Sequence, residues 1–128
     1  LSGAALANAY FGSAKVIGCE PTNASDAHES FYSGKWVPVA TADTIADGLK
    51  TSLGKRNFPI IQSHVDEISL VTEDEITEAW HFVLARLKQF IEPSAATGVA
   101  ACLKKSAQGK TGIILCGGNM DTQKWALR

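Results

Sequence analysis

The stretch 111–119, Thr-Gly-Ile-Ile-Leu-Cys-Gly-Gly-Asn, joins a short apolar run to a turn that is able to bind a flat ligand. The apolar run contains two β-branched isoleucines and predicts a fully buried strand over 111–115. The two glycines remove Cβ atoms and allow φ > 0, so that the backbone can approach a ligand closely. Cys116 and Asn119 offer a thiol and an amide at the carboxyl end of this strand, where open α/β sheets bind ligands. An ordinary strand followed by a glycine turn, with no ligand, would have the same sequence pattern.

Three further polar clusters stand at the ends of predicted elements, and each has an ordinary structural explanation. The acids can be solvated in loops, cap a turn or end a helix, and a cysteine is more often an inert small hydrophobe than a functional thiol. The three histidines (His28, His64 and His81) share no ligand spacing, so no role is assigned to them. The clusters are Glu20 with Asp26, Asp47 with Gly48, and Glu92 with Pro93 and Ser94.

The composition indicates one packed domain and excludes some classes of partner. The chain has 128 residues, of which 45% are hydrophobic and 20% charged, so a core is expected and disorder is not. The formal net charge is -1 and no basic run is present, which argues against nucleic acid and anionic membranes as partners. No apolar run is long enough to span a membrane, and no signal peptide is expected.

Cysteine usage predicts a reducing compartment. Cys19, Cys102 and Cys116 are an odd number, widely separated and set in apolar surroundings. That pattern suits reduced thiols and a cytoplasmic protein better than a disulfide framework. No Cys-x-x-Cys pair is present, which argues against a structural zinc site.

Hydrophobic periodicity predicts alternating helices and strands. Thr72 and Glu75 form a Thr-x-x-Glu capping box, which predicts a helix from about residue 73 to 90 or 91, before Pro93. The alternation predicts an α/β fold, with part of a parallel sheet flanked by helices. Further helices are expected over 1–10, 27–32, 58–65 and 95–105, strands over 15–19 and 67–71, a turn over 108–110, and a tail over 121–128 anchored by Trp125.

Four segments, taken in order, resemble the C-terminal part of the serine racemase and threonine/serine dehydratase family. These are pyridoxal-phosphate enzymes of the tryptophan-synthase-β type, known as fold type II. The resemblance runs from Leu1 to about Asp121, and the first two segments favour the serine racemase branch. The segments are Glu20-Pro21-x-x-Ala24-x-Asp26, Thr44-Ile45-Ala46-Asp47-Gly48, Leu87-Lys88-x-x-Ile91-Glu92-Pro93-Ser94, and Leu115-Cys116-Gly117-Gly118-Asn119-x-Asp121.

The resemblance implies a cofactor, pyridoxal 5'-phosphate, and an amino-acid substrate. The implied reactions are racemisation of serine, and β-elimination of water from serine or threonine, which gives a 2-oxo acid and ammonia. Cys116 would approach the pyridine nitrogen as a neutral partner, and Glu92 would stand near the ring. The other residues implied on the cofactor side are Gly117, Gly118 and Asn119, with Asp47 and Gly48.

The resemblance also implies a cation and regulation by nucleotide. Glu20, the carbonyl group of Ala24, and Asp26 match a divalent-cation site, and oxygen ligands with water suit Mg²⁺ or Ca²⁺. Lys88 and Asn119 match positions that bind nucleotide in animal racemases, which implies ATP as an activator. The parent protein is expected to be a homodimer.

The chain departs from the family pattern in what it lacks. The family's Schiff-base lysine lies upstream in a Ser-Phe-Lys-like segment, and no such segment is present. Only Leu1-Ser2-Gly3 remains of the phosphate-binding glycine loop, and the substrate-carboxylate loop is absent. Residues 1–128 are therefore interpreted as the C-terminal portion of a catalytic domain, with no catalytic residue of their own and inactive alone. The alternatives are a threonine/serine ammonia-lyase without racemase activity, and a truncated non-catalytic paralogue that serves as a binding or dimerisation module.

Overall fold

A computed structural model describes residues 1–106 and 109–119, and it places a pair of parallel strands among helices. Strands β1 (Ile17–Pro21) and β2 (Glu67–Val71) pair with Ile17 opposite Glu67 and Pro21 opposite Val71. The expected α/β class and the parallel arrangement are therefore confirmed. The helices are α1 (Ser2–Phe11), α2 (Asp26–Ser33), α3 (Phe58–His64), α4 (Glu73–Phe82) and α5 (Pro93–Lys105).

The two faces of the strand pair are covered by different helices. Side chains alternate along a strand, so Ile68 and Val71 of β2 point to opposite faces. Ile68 packs with Ala5 of α1 and Ile61 of α3, whereas Val71 joins a larger cluster with α4 and α5. No helix in the described part of the chain is long and apolar enough to cross a membrane. The larger cluster also contains Ile76, Ala79, Trp80, Val83, Ile91, Ala95, Ala96, Val99, Ala100 and Ala101.

Helix α4 begins as the sequence predicts and ends earlier. The Thr72 hydroxyl oxygen accepts the Glu75 amide N–H at 3.2 Å, and the Glu75 carboxylate accepts that of Thr72 at 2.8 Å, which confirms the capping box. The predicted end at residue 90 or 91 is wrong, because α4 gives way to a wider π turn over Val83–Leu87. The chain then reverses at Lys88, whose φ of 57° is left-handed.

A buried contact explains the early end of α4. The indole N–H of Trp80 donates to the carbonyl oxygen of Ile91 at 2.7 Å, so residue 91 lies back against the helix instead of continuing it. Pro93 then starts α5 at its first helical position, where the missing N–H does no harm. The predicted start of α5 at residue 95 was therefore two residues late.

Helix α5 packs across the strand pair and is tied to it at its C-terminal end. The Lys104 ammonium group donates to the Leu70 carbonyl oxygen at 3.3 Å and pairs with Glu75 at 3.1 Å. Lys105 pairs with Glu67 at the start of β2. The buried face of α5 consists largely of alanines, which lets the helix approach the strands closely, as its small-residue composition predicts.

The predicted buried strand over 111–115 is not formed. These residues form no regular secondary structure, and the Ile114 side chain is 69% exposed. A strand needs a ladder partner, and residues 1–106 and 109–119 offer none to this segment. The predicted tail over 121–128, with Trp125, and residue 108 of the predicted turn over 108–110 lie outside the described residues.

Candidate functional site

The carboxyl ends of β1 and β2 lie side by side, and the polar segments that follow them share one edge. The Thr22 hydroxyl donates to the Val71 carbonyl oxygen at 2.8 Å and so joins the two strand ends. Glu20 lies near the carboxyl end of β1, Asp26 begins the helix after β1, and Glu73 begins the helix after β2. This edge is where the topology of parallel sheets places ligand sites.

Three of the four polar clusters predicted from the sequence converge. The Glu92 amide N–H donates to the carbonyl oxygen of Gly117 at 3.1 Å. The Gly48 amide N–H donates to the Ser94 hydroxyl oxygen at 2.9 Å. A turn at residue 47, the start of α5 and the glycine pair therefore form one unit, which we call the glycine cluster: Asp47, Gly48, Glu92, Ser94, Gly117 and Gly118.

The glycines of this cluster are required by their neighbours. A Cβ atom on Gly117 would overlap the Glu92 carboxyl group, and the φ of Gly117 is 93°. A Cβ atom on Gly48 would lie 3.0 Å from the Ser94 hydroxyl oxygen, and one on Gly118 would lie 3.3 Å from the Phe90 carbonyl oxygen. The backbone of the glycine pair therefore presents no side chain, and the Glu92 carboxylate packs against Gly117.

Cys116 and Asn119 flank the glycine pair on the surface. All residues of 116–119 are exposed, so the thiol is not a core residue, but the cavity predicted at this point is not formed. No strand among the described residues lies beside 111–119, so nothing on that side closes a cavity. The cleft that the structure describes has a volume of about 300 Å³ and shares only Asp47 with the glycine cluster. Its lining is Asn23, Asp43, Thr44, Ile45, Asp47, Lys50 and Glu73.

The predicted cation ligands are buried acids. Glu20 is 8% exposed and Asp26 is 4% exposed, so neither is a solvated loop acid. The Glu20 carboxylate accepts the amide N–H groups of His28 at 2.8 Å and Ala27 at 3.2 Å, and Asp26 accepts that of Leu53 at 2.6 Å. These bonds hold the carboxylates near the start of α2. Because the donors are uncharged amides, they do not cancel the negative charge of an ionised carboxylate.

The electrostatics of Glu20 reflect its burial. Loss of solvent raises the pKa of Glu20 to about 7, although its two amide hydrogen bonds oppose this. The negative charges of Asp26 and Glu29 raise that pKa further. Among the residues with described coordinates, no three His, Cys, Asp or Glu side chains gather into a metal centre, and the predicted site has only two such side chains plus the carbonyl group of Ala24.

Lys88 and Asn119 are not in contact. The Lys88 ammonium group donates to the carbonyl oxygen of Ala85 at 2.5 Å, within its own helix end. Lys88 lies two residues before Phe90, whose carbonyl oxygen faces Gly118. The predicted nucleotide residues therefore lie on the same side as the glycine pair but do not form a shared site in this part of the chain.

One residue of the region was missed by sequence reasoning. The Glu73 carboxylate accepts the Ile45 amide N–H at 2.8 Å and so holds the loop that leads into the glycine cluster. In the sequence, Glu73 is only one of three acids in the first turn of a helix, and nothing separates its role from theirs. The available signal was that Glu73 is an acid just after the carboxyl end of a strand. The same signal pointed to Glu20 and Asp26.

The cysteines should differ in reactivity. Burial raises the pKa of Cys19 from 9.0 to about 11, whereas Cys116 is exposed. Alkylation needs the thiolate, so below pH 9 Cys19 holds about a hundredfold less reactive form than an ordinary thiol. We expect a short pulse of maleimide to label Cys116 before Cys19, as read by peptide mass spectrometry. Unfolded protein is the control, in which both should label together; equal labelling in folded protein would contradict the arrangement.

Comparison with known proteins identifies the family. The family model described as "Pyridoxal-phosphate dependent enzyme" matches residues 1–117. The chain is 41% identical to L-threo-3-hydroxyaspartate ammonia-lyase of Saccharomyces cerevisiae, covering 98% of this chain and 40% of that protein. It is 45% identical to human serine racemase, covering 85% of this chain and 34% of the relative.

A solved structure agrees with the sequence matches. Maize serine racemase superposes with a TM-score of 0.88 at 35% identity, over 97% of this chain and 41% of the other. The chain thus spans about 40% of the length of relatives that it matches. The strand edge and all of the glycine cluster except Gly118 lie within the residues that the family model matches, and the expected α/β architecture is shared. The chain belongs to the family of pyridoxal-phosphate dependent enzymes.

Proposed function

We propose that this chain is the C-terminal portion of a pyridoxal-phosphate dependent serine racemase and serine/threonine dehydratase. The observation that carries the proposal is the convergence of Gly48, Glu92 and Gly117: the Glu92 amide donates to the Gly117 carbonyl oxygen, and the Gly48 amide donates to the hydroxyl oxygen of Ser94. These residues are separated in sequence and belong to three of the segments that resemble the family. The relatives include a serine racemase and a hydroxyamino-acid ammonia-lyase, which fits a β-hydroxy amino acid as substrate.

The residues present fit the cofactor. Pyridoxal phosphate, when bound, supplies an electron-withdrawing ring that weakens the bonds at the amino acid's α-carbon. The flat backbone of Gly117 and Gly118 can face the ring, and the Cys116 thiol can share a hydrogen bond with the pyridine nitrogen. Asn119 offers an amide beside them. Glu92 contacts Gly117, so its carboxylate would lie near the ring when the cofactor is bound.

A lyase without racemase activity is the second candidate. It is favoured by the 41% identity to the yeast ammonia-lyase over nearly the whole chain. The glycine cluster serves either reaction, because both start by labilising a bond at the same carbon. A non-catalytic module is a weaker proposal, since it gives no reason to keep Cys116 and Asn119 beside the glycine pair.

Several features of the parent protein belong to the same proposal. We infer a Mg²⁺ or Ca²⁺ ion at Glu20, the Ala24 carbonyl oxygen and Asp26, supported by two buried acids whose charges act on each other. ATP as an activator through Lys88 and Asn119, a homodimeric assembly and a cytoplasmic location are proposed on the resemblance and on the reduced cysteines.

The test is serine turnover by the full-length protein. We expect pyruvate and the opposite enantiomer of serine, measured separately, with the absorbance of bound cofactor. Pyruvate without the enantiomer would favour the lyase, and neither product with no bound cofactor would refute both candidates.

The 128 residues expressed alone serve as the matched comparison. We expect them to show neither cofactor absorbance nor turnover, because the Schiff-base lysine segment is not among them. Pyruvate formation by this purified chain would contradict the expectation and would mean that one of its own lysines can act.

A further inference from the structure

We propose that Glu73 is a positioning residue for the glycine cluster: it holds the loop 44–48 so that Asp47 and Gly48 meet Glu92 and Ser94. The inference rests on the proposed function, since the cluster is taken as the cofactor-binding surface. Glu73 lies in the first turn of α4 and, unlike Glu75, it belongs to no capping motif that the sequence reveals.

The loop is held at two points. At one end the Glu73 carboxylate accepts the Ile45 amide N–H at 2.8 Å, across 28 residues of sequence. At the other end the Gly48 amide N–H donates to the Ser94 hydroxyl oxygen at 2.9 Å. A carboxylate acceptor makes a stronger bond than a neutral one, so the contact with Ile45 is the firmer of the two anchors.

The loop between these anchors has little freedom to move. The Ala46 side chain is fully buried, and its amide N–H donates to the Thr44 hydroxyl oxygen at 3.1 Å. The Asp47 amide N–H donates to the Ile45 carbonyl oxygen at 3.0 Å. Because these turns are tight, a shift at Ile45 is passed to Asp47 and from there to Gly48.

One carboxylate oxygen of Glu73 is buried, which supports a role beyond helix stability. This oxygen, Oε1, has no hydrogen-bond partner within the part of the chain that the structure describes. A buried, unpartnered oxygen is unfavourable for folding. Asp74 also places a negative charge at the positive end of α4 while remaining exposed, so the helix alone does not require an acid with a buried oxygen at position 73.

The same carboxylate lies beside other acids. Glu73 lines the cleft together with Asp43 and Asp47, and Lys50 pairs with Asp47 at 2.6 Å. An acid that only strengthened the helix would be better placed away from these like charges. The location of Glu73 among these acids is explained if its role is to accept the hydrogen bond from the Ile45 amide.

The experiment compares four variants of the full-length protein, each titrated with pyridoxal phosphate and unfolded with and without it. Glu73→Ala removes the bond to Ile45, and Glu73→Asp keeps the charge at the helix start but is one methylene too short to reach. Glu73→Gln keeps an oxygen acceptor. Glu75→Ala is the matched control, because Glu75 lies in the same helix turn as Glu73 and its loss removes the capping box and the ion pair with Lys104 of α5.

We expect the apparent Kd for pyridoxal phosphate to rise about tenfold in Glu73→Ala and Glu73→Asp, the size of one charge-assisted hydrogen bond. Glu73→Gln should stay within about threefold of the wild type, since a neutral acceptor retains part of that bond. Glu75→Ala should lower the unfolding midpoint of the apo and loaded forms equally and leave the affinity unchanged. If Glu73→Ala does not fold, Glu73→Asp carries the test.

Two results would overturn the inference. One is an affinity in Glu73→Asp equal to that of Glu75→Ala, and the other is an affinity in Glu73→Gln as weak as in Glu73→Asp. Both comparisons of affinity are made only if the wild-type protein binds pyridoxal phosphate. A wild type that does not bind it refutes the proposed function instead, so the two failures are distinguishable.

Discussion

Gly117→Ala should abolish stable cofactor binding by the full-length protein. The new Cβ atom would overlap the Glu92 carboxyl group, and alanine would have to adopt a φ of 93°. The strained backbone costs about 1–2 kcal/mol and the overpacking about 1–3 kcal/mol. The Glu92 carboxyl group would have to rotate away from the glycine pair, and this would remove it from the position proposed for it beside the cofactor. A displacement of about 1 Å is also enough to lower the rate of a reaction between positioned groups about a hundredfold, so any turnover that remains should fall as well.

The measurements are the cofactor absorbance of the purified variant and its free energy of unfolding in urea without cofactor. Gly34→Ala is the matched control, because Gly34 also has a left-handed φ, 69°, but its Cβ atom would meet nothing within 4 Å. We expect that control to lose only the strain energy and to keep the cofactor. Cofactor content equal to that of Gly34→Ala would show that Gly117 and Glu92 do not shape the site.

A double variant separates the two causes. Glu92→Ala removes the carboxyl group that the new Cβ atom would meet, so Gly117→Ala with Glu92→Ala should be less destabilised than the sum of the single changes. The remaining loss is the backbone strain, which no change at Glu92 can relieve. Additive effects of the two changes would contradict the contact.

The elements that were predicted correctly depend on local interactions. The capping box of Thr72 and Glu75 satisfies amide groups within four residues, so the start of α4 follows from the sequence. Strand β2 is predicted at its exact bounds because its apolar residues alternate between two covered faces. Helix α3 tolerates its proline near the start for a similarly local reason.

The elements that were missed depend on distant residues. The end of α4 is set by the contact from Trp80 to Ile91, which the helical periodicity up to residue 87 does not reveal. The run 111–115 has the composition of a strand, but a strand exists only beside a partner. The apolar composition of 111–115 therefore indicated a strand-like segment, but it did not show whether a partner strand lies beside it.

The candidate site divides in the same way. The acids, glycines and hydroxyls could be named from the sequence because their types suggest ligand contacts. Which of them meet could not be read from it, since Glu92 contacts Gly117 and Gly48 contacts Ser94 only after the chain has folded. Glu73 was missed because its partner, the Ile45 amide, is a backbone group that has no signature in the sequence.

Glu20→Gln should remove stabilisation of the full-length protein by divalent cations. In the wild type we expect Mg²⁺ or Ca²⁺, at about 100 times its Kd, to raise the free energy of unfolding by about 2.7 kcal/mol. The physical reason is that Glu20 and Asp26 are two buried negative charges that repel each other, and a bound cation would neutralise both. Glutamine keeps the shape of the side chain but supplies no charge.

Glu29→Gln is the matched control for this change. Glu29 lies in the same helix α2 and its charge also acts on Glu20, but its side chain is exposed and accepts a hydrogen bond from Ser25 at 3.0 Å. The free energy of unfolding is measured in urea with a chelator and again with each cation, above the Glu20 pKa of about 7 so that the carboxylate is ionised. We expect Glu29→Gln to respond to the cation as the wild type does.

Asp26→Asn extends the test to the second ligand. Its amide oxygen can still accept the Leu53 amide N–H, which Asp26 accepts at 2.6 Å, so the loop should keep its position while the charge is lost. We expect the cation response to disappear in this variant too. If Glu20→Gln, Asp26→Asn and Glu29→Gln all respond equally to Mg²⁺ and Ca²⁺, the cation binds elsewhere or not at all, and the two buried acids serve only to hold the backbone amides at the start of α2.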